Sequence, residues 1–307
     1  MIHNLRTLIA VLAVVAMPII SWGQDERLSV RDFGAKGDGV NDDTSGIAKA
    51  IVAGAKKGRT TVVFPAGVYL TDTILVQSGL TLYVDKGATL IWKTGANDGD
   101  HKSLISILGK EDITVGGEGT LQGLSPSGLL QVVDSERVVI RGLHLETLGS
   151  TGDGITLTSS TEVRVEGCSI TGGGQAIGIS DSSNVRISQL GATSEKGLIC
   201  RRVNDIEFVD VRIDSKAGPQ FLIMESSAVL LDAIGSQERS SEPIVSAHDV
   251  QDLLLTNSQA VSGTKTFLQI LGSQSRGIVA RGNELSQSRA PVMVGPDVPA
   301  GRVEVDL

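Results

Sequence analysis

The sequence predicts an all-β chain wound into a right-handed parallel β-helix, with one short helix capping its N-terminal end. Three observations carry that prediction. From about Leu104 onward, units of apolar strand, polar turn, apolar strand and Gly-rich turn recur every 21–25 residues, within the period range of solenoids. Inside each strand the apolar residue recurs two places on, the pattern of a half-buried strand. The composition includes 37 glycines and only 3% aromatic residues, suited to tight corners around an interior of stacked Val, Ile and Leu.

The chain opens with a basic start, an apolar run from Leu8 to Ile20, and Ser21 and Gly23 placed before Gln24 for signal peptidase. Residues 1–23 therefore read as a secretory signal peptide, the alternative being an uncleaved anchor. The run is shorter than the roughly 20 apolar residues a membrane span needs. On the signal-peptide reading the mature chain 24–307 is a single β-helix domain, secreted or periplasmic and free of the membrane.

Residues 24–70 form an N-terminal module. Leu28–Ala35 reads as strand and turn, and an acidic run through Thr44 leads into an amphipathic helix from about Ser45 to Lys57. Asp43 or Thr44 is its N-cap and Gly58 ends it. Thr61–Phe64 is the first strand that follows. A helix over the open end of a stack protects the edge that any solenoid exposes.

Residues 104–307 supply the regular turns. Aligning the first strand of each unit puts Ile155, Ile177, Leu198, Phe221, Ile244, Phe267 and Val292 in one column. The second strands follow with Val163/Val165, Val185/Ile187, Ile206/Phe208, Val229/Leu231 and Ile278/Ala280. Polar runs such as Ser159–Thr161 and Asp181–Asn184 supply the turns between them. One turn has no core of its own and buries its inward residues only against its neighbours. A leucine-rich repeat would need a fixed Leu spacing and an Asn ladder, and neither appears. Cys168 and Cys200, placed in or near strands of different turns, read as buried free thiols rather than a bridge.

A net charge of −8 and a pI near 5.1 exclude nucleic acid as a partner, since a phosphate backbone needs an excess of Lys and Arg. They also disfavour long-range attraction of a polyanion, although a local basic patch still binds one.

The run VRDFGAKGDGVNDDT at Val30–Thr44, the helix after it and VFPAGVY at Val63–Tyr69 closely resemble the N-terminal module of the pectate lyase-like superfamily. Polygalacturonases, rhamnogalacturonases and phage tailspike depolymerases share that module. ITVGGEGTLQG at Ile113–Gly123 resembles the segment that polygalacturonases, of glycoside hydrolase family 28, carry before their catalytic turns. The resemblance spans nearly the whole mature chain and implies an enzyme or binder of polysaccharide, with no cofactor. It reads Asp38, Asn41, Asp42 and Asp43 as a structural turn and helix cap rather than a calcium site.

Hydrolysis of the family type places carboxylates on successive turns, and an inverting pair stands about 6.5–9.5 Å apart. Adjacent turns of a parallel stack lie about 4.8 Å apart, so residues in one register reach one sugar linkage. Two places before each first-strand anchor, the column reads Asp153, Gln175, Lys196, Pro219, Glu242 and Lys265. Gly152-Asp153-Gly154 resembles the family's Asn-Thr-Asp-Gly, so Asp153 matches its first catalytic aspartate. The family's Asp-Asp-Cys-Ile-Ala-Ile is here Gly174-Gln175-Ala176-Ile177-Gly178-Ile179, and both aspartates are gone. Glu195-Lys196-Gly197 replaces Gly-His-Gly, and Leu222-Ile223-Met224 replaces Arg-Ile-Lys. A Gln is no proton donor of the kind a carboxylic acid is, so the standard inverting mechanism fails.

A rebuilt site is the remaining catalytic reading: Asp153 and Lys196 as catalytic residues, with Gln175, Arg201, Arg202 and Glu225 binding substrate. Lys196 or Arg202 would serve as the base of a lyase. The other reading is a non-catalytic β-helix that binds glycan or a partner protein, or self-associates. Its surface would be the first-strand face, whose outward positions are Thr156/Thr158, Gly178/Ser180, Ile199/Arg201, Leu222/Met224 and Val245/Ala247, apolar toward the C-terminus. His144 and His248 fall on different turns, so the sequence supports neither a metal cluster nor a nucleophilic triad.

Overall fold

A computed structural model describes residues 26–93, 103–123, 128–149 and 152–306. The signal-peptide reading of residues 1–23 lies outside them. Among the described residues the strands form an 18-stranded sheet and a 10-stranded sheet. Pairing is parallel throughout both, as in the steps Val163↔Val185↔Ile206↔Val229 and Ile155↔Ile177↔Leu198. The 10-stranded sheet takes one strand from each turn. In the larger sheet the long strands Ser183–Ser194 and Asn204–Ser215 run across the places of two shorter strands below, Thr161–Glu166 and Ser169–Gly172, and fuse two faces into one. The inward residues form one apolar cluster running from Val30 to Leu285.

The helix spans Thr44–Lys57 and buries Gly46, Ile47, Ala50, Ile51 and Gly54 against the first turn. Its start differs from the expected cap. Asp43 stands at the N-cap, but its carboxylate turns away from the helix and accepts the amides of Lys36 (2.6 Å) and Gly37 (3.1 Å). Asp42 accepts the Thr44 amide instead, at 3.0 Å. Asp38 accepts the Val40 and Asn41 amides at 3.0 and 2.9 Å, and these bonds hold its carboxyl down at about 2. The acidic run is thus a short irregular strand, Asp38–Asp42, paired with Gly67–Thr71 and held by these bonds as it leads into the helix.

The corners are not all glycine. In the turn after the first strand, Asp134, Ser159, Asp181, Arg202, Glu225 and Asp249 all adopt left-handed backbone, with φ between 49 and 54°. Asp tolerates that region better than most side chains. The next position is a buried serine ladder. Ser160 Oγ donates to Thr158 O at 2.8 Å and accepts from Ser135 N, whose own hydroxyl donates to Val133 O. Ser182 and Ser226 repeat the pattern, so these buried corner amides are paired without water.

Two anchors of the first-strand column shift by one residue. Phe221 pairs with Val245, not Ile244, and Val245 pairs with Leu268, not Phe267, before the column rejoins Val292. Both members of Ile244/Val245 and of Phe267/Leu268 are buried, so alternation alone gave no choice between them. A one-residue slip exchanges the two faces of a strand. Val245 and Ala247 therefore point inward and are fully buried, while Ser246 and His248 take the outward positions. The expected apolar strip toward the C-terminus is interrupted: Ile199, Leu222 and Met224 are half-buried, Ser246, His248 and Gln269 follow as polar groups, and Leu271 and the exposed Met293 stand beyond them.

Cys168 and Cys200 are free and buried. Burial pushes the Cys168 thiol up to about 11 and raises that of Cys200 further.

Candidate functional site at the first-strand edge

The register correction also alters the column of side chains that precede the first strands. Counting two places before Val245 and Leu268 puts Pro243 and Thr266 there, so Glu242 and Lys265 drop out by one position. The column becomes Asp153, Gln175, Lys196, Pro219, Pro243 and Thr266, and Asp153 is its single carboxylate.

Asp153, Gln175 and Lys196 do come together on three successive turns. Gln175 and Lys196 are register partners, and Asp153 Oδ1 accepts the Gln175 amide at 3.0 Å. Burial raises the Asp153 pKa, while the Gln175 N–H and the charge of Lys196 pull it back. The Gln175 side chain folds over the sheet, its Nε2 donating to Ile177 O at 2.8 Å. It lies where a side chain at position 178 would be, since a Cβ on Gly178 would meet Gln175 Nε2 at 2.6 Å. Lys196 is exposed. The cavity beside this edge, of about 220 Å³, is lined by Gly149, Gly172, Gly173, Thr193, Ser194, Glu195 and Lys216, and takes in none of the three.

The other predicted site residues stand elsewhere. Lys196 and Arg201 are the two ends of one strand, five residues and roughly 16 Å apart. Arg201 places Nη2 3.7 Å from Met224 Sδ. Arg202 sits at the left-handed corner and grips Asp181 with two bonds, Nε to Oδ1 at 2.6 Å and Nη2 to Oδ2 at 2.9 Å, with Glu225 3.8 Å away. That pairing holds Asp181 below the usual carboxylate range and raises Arg202, which removes Arg202 as a base. Arg201, Arg202 and Glu225 are thus not part of a pocket around Asp153. Asp181 is the partner that sequence reading missed. It stands 21 residues before Arg202, one turn below, and that interval is its only signal.

His144 Nδ1 lies 2.7 Å from Ser169 Oγ, and His248 Nδ1 lies 3.4 Å from Asp249 Oδ2. Among the described residues no group of three His, Cys, Asp or Glu side chains is arranged to hold a metal ion.

What this arrangement can do chemically is limited. An inverting hydrolase needs two carboxyl groups across one linkage, and here Asp153 is followed on the next turns by an amide and an ammonium group.

Residues 28–106 match the family model for rhamnogalacturonase A/epimerase, pectate lyase-like proteins. The chain has the pectate lyase-like β-helix fold. It is 30% identical over 173 residues to the plasmin and fibronectin-binding protein A of Streptococcus pneumoniae, a match covering 47% of this chain and 24% of that protein. The chain thus spans about a quarter of that relative's length. Among solved structures it resembles the hyperthermoactive exopolygalacturonase of Thermotoga maritima, with a TM-score of 0.50, 15% identity and coverage of 89% of this chain and 92% of that one. The A-module of a mannuronan C-5 epimerase of Azotobacter vinelandii gives a TM-score of 0.54 at 12% identity, covering 90% and 97%. No helix among the described residues is long and apolar enough to cross a membrane.

Proposed function

We propose that this protein is an exported β-helix that binds acidic polysaccharide along the edge where its first strands begin, and that it does not cleave glycosides by the inverting route. One observation carries the reading: Asp153 is the single carboxylate of the column, and its Oδ1 already holds the Gln175 amide of the next turn. A polysaccharide is the ligand class on which the fold's exopolygalacturonase and epimerase neighbours act by name. The pneumococcal relative, named for binding plasmin and fibronectin, supports a binding role.

A second reading has its own observation. Burial raises the Asp153 pKa beside the charge of Lys196, and a proton carrier next to a cation suits elimination from a uronic acid. The test is to incubate the protein with pectins, rhamnogalacturonans and alginates while following reducing ends, absorbance of unsaturated products and retention on the immobilised polymer. Retention without new reducing ends or absorbance is expected. Reducing ends that vanish in Asp153→Asn would overturn the proposal in favour of hydrolysis, and absorbance lost in the same variant would favour the lyase.

A further inference from the structure

Three turns beyond Lys196 on the same edge, a depression of about 410 Å³ is lined by Arg239, Ser240, Ser241, Gly263, Lys265 and Arg289. Lys265 and Arg289 each immediately precede a strand of the 10-stranded sheet, Thr266–Leu271 and Ala290–Val294. Their loops are locked together: the Lys265 amide donates to Ser240 O, and the Arg289 and Ala290 amides donate to Thr264 O and Lys265 O, each at 2.9 Å. The three cations therefore rise one turn at a time, over roughly 10 Å at the spacing of parallel strands.

All three are exposed. Among the described residues none of their side chains has an ion-pair or hydrogen-bond partner. Three cations on adjacent turns stand out in a protein of net charge −8. Among the described residues Glu238 and Glu242, on the Arg239 loop, form no ion pair with them, and like charges this close are stabilised by an anion between them. Gly263, with left-handed backbone at φ +90°, packs beside the stem of Arg239: a Cβ there would lie 3.7 Å from Arg239 Cδ, an ordinary contact. Ser240 is 9% exposed and its Oγ accepts from Gln220 Nε2 and from the Glu242 amide. Both bonds use its oxygen, so its own proton is left to donate.

We infer that Arg239, Lys265 and Arg289 form a binding site for the acidic groups of a polysaccharide, carboxylates or sulfates repeated along one chain. The inference rests on the glycan-binding reading above and gives it a location and a charge. A planar guanidinium holds a carboxylate or sulfate through two parallel bonds, Lys265 adds a point charge between the two, and the serine hydroxyls meet sugar hydroxyls. A line of cations fits a polymer better than a single small ion. A glycan lying along the edge would reach from this site to Lys196, roughly 14 Å away over three turns.

The test is calorimetric titration of the full chain with polygalacturonate oligomers, a sulfated galactan, dextran and inorganic phosphate. The titrations are run on the unaltered protein, on Arg239→Ser/Lys265→Ser/Arg289→Ser, and on Lys196→Ser. Expected are binding of an acidic polymer that weakens steeply with added NaCl, none of dextran, and a loss of at least about tenfold in the triple variant. The polymer that binds tells carboxylate from sulfate. A triple variant that melts like the unaltered protein yet binds equally well overturns this site and leaves the glycan-binding reading standing. Loss in Lys196→Ser alone does the same. No binding of either acidic polymer overturns both, and phosphate binding as tightly as the polymers would make this a small-anion site. The salt dependence of the unaltered protein needs no variant and overturns the site if it is flat.

Discussion

Gly197, directly after Lys196, tests whether the turns are held as closely as described. An alanine there places its Cβ 2.1 Å from Gln220 O, 2.7 Å from Gln220 C and 2.8 Å from Pro219 O. These are backbone atoms of the next turn and have no rotamer to move into. Real Cβ atoms essentially never approach closer than 3.0 Å, so the two turns must part by roughly 0.9 Å. The hydrogen bond from the Leu198 amide to Gln220 O, now 2.8 Å, would lengthen to about 3.7 Å, beyond bonding range. Losing that bond costs about 1 kcal/mol and the overpacking about 1–3 kcal/mol more. Gly197→Ala should therefore lose about 2–4 kcal/mol in urea unfolding followed by circular dichroism, with faster exchange of the Leu198 amide. Gly191→Ala is the control: nothing lies within 4 Å of its added Cβ, and its stability should change by less than about 0.5 kcal/mol. Equal stability of the two variants would refute the close parallel stacking at this edge.

Two further outcomes follow from the perturbed groups. Burial raises the Asp153 pKa above its ordinary value, so the folded state holds that proton more tightly than the unfolded chain does. The stability this contributes is present below the ordinary carboxylate pKa and lost as pH rises through the folded value. Asn keeps an oxygen for the Gln175 amide without a charge to bury. Asp153→Asn should therefore melt at or above the unaltered protein at pH 7, with a smaller fall in melting temperature between pH 4 and pH 7; a larger fall would contradict the assignment. Buried thiols with raised pKa values should make Cys168 and Cys200 inert to a disulfide reagent in the native protein and reactive in urea. Rapid native labelling of either would show that its strand opens.

Much of the fold was legible because a solenoid repeats its physics. The period-2 alternation of Ile155/Leu157 or Val163/Val165 marks the inward face of a strand, and its recurrence marks the stack. Legibility failed at Ile244/Val245 and Phe267/Leu268, where two adjacent apolar residues are both buried. There the pattern has no phase, and the length of the preceding loop sets the register instead. That single slip reassigned Val245 and Ala247 from an imagined docking strip to the core. The candidate site was half legible. Asp153, Gln175 and Lys196 meet because they share a column, but Arg201, Arg202 and Glu225 lie at the far end of the strand. Residue type alone carries no information about which end of a strand a charge occupies.

The sequence by itself determined that the chain coils in parallel turns, that its N-terminal end is closed by a helix, and that Asp153, Gln175 and Lys196 share one column. These follow from local periodicity and from residue identity at fixed intervals. Only the tertiary structure decided which charges meet. Arg202 pairs with Asp181 across a left-handed corner, while Arg239, Lys265 and Arg289 converge from loops of unequal length, because contacts between turns depend on how many residues each loop spends before its strand begins.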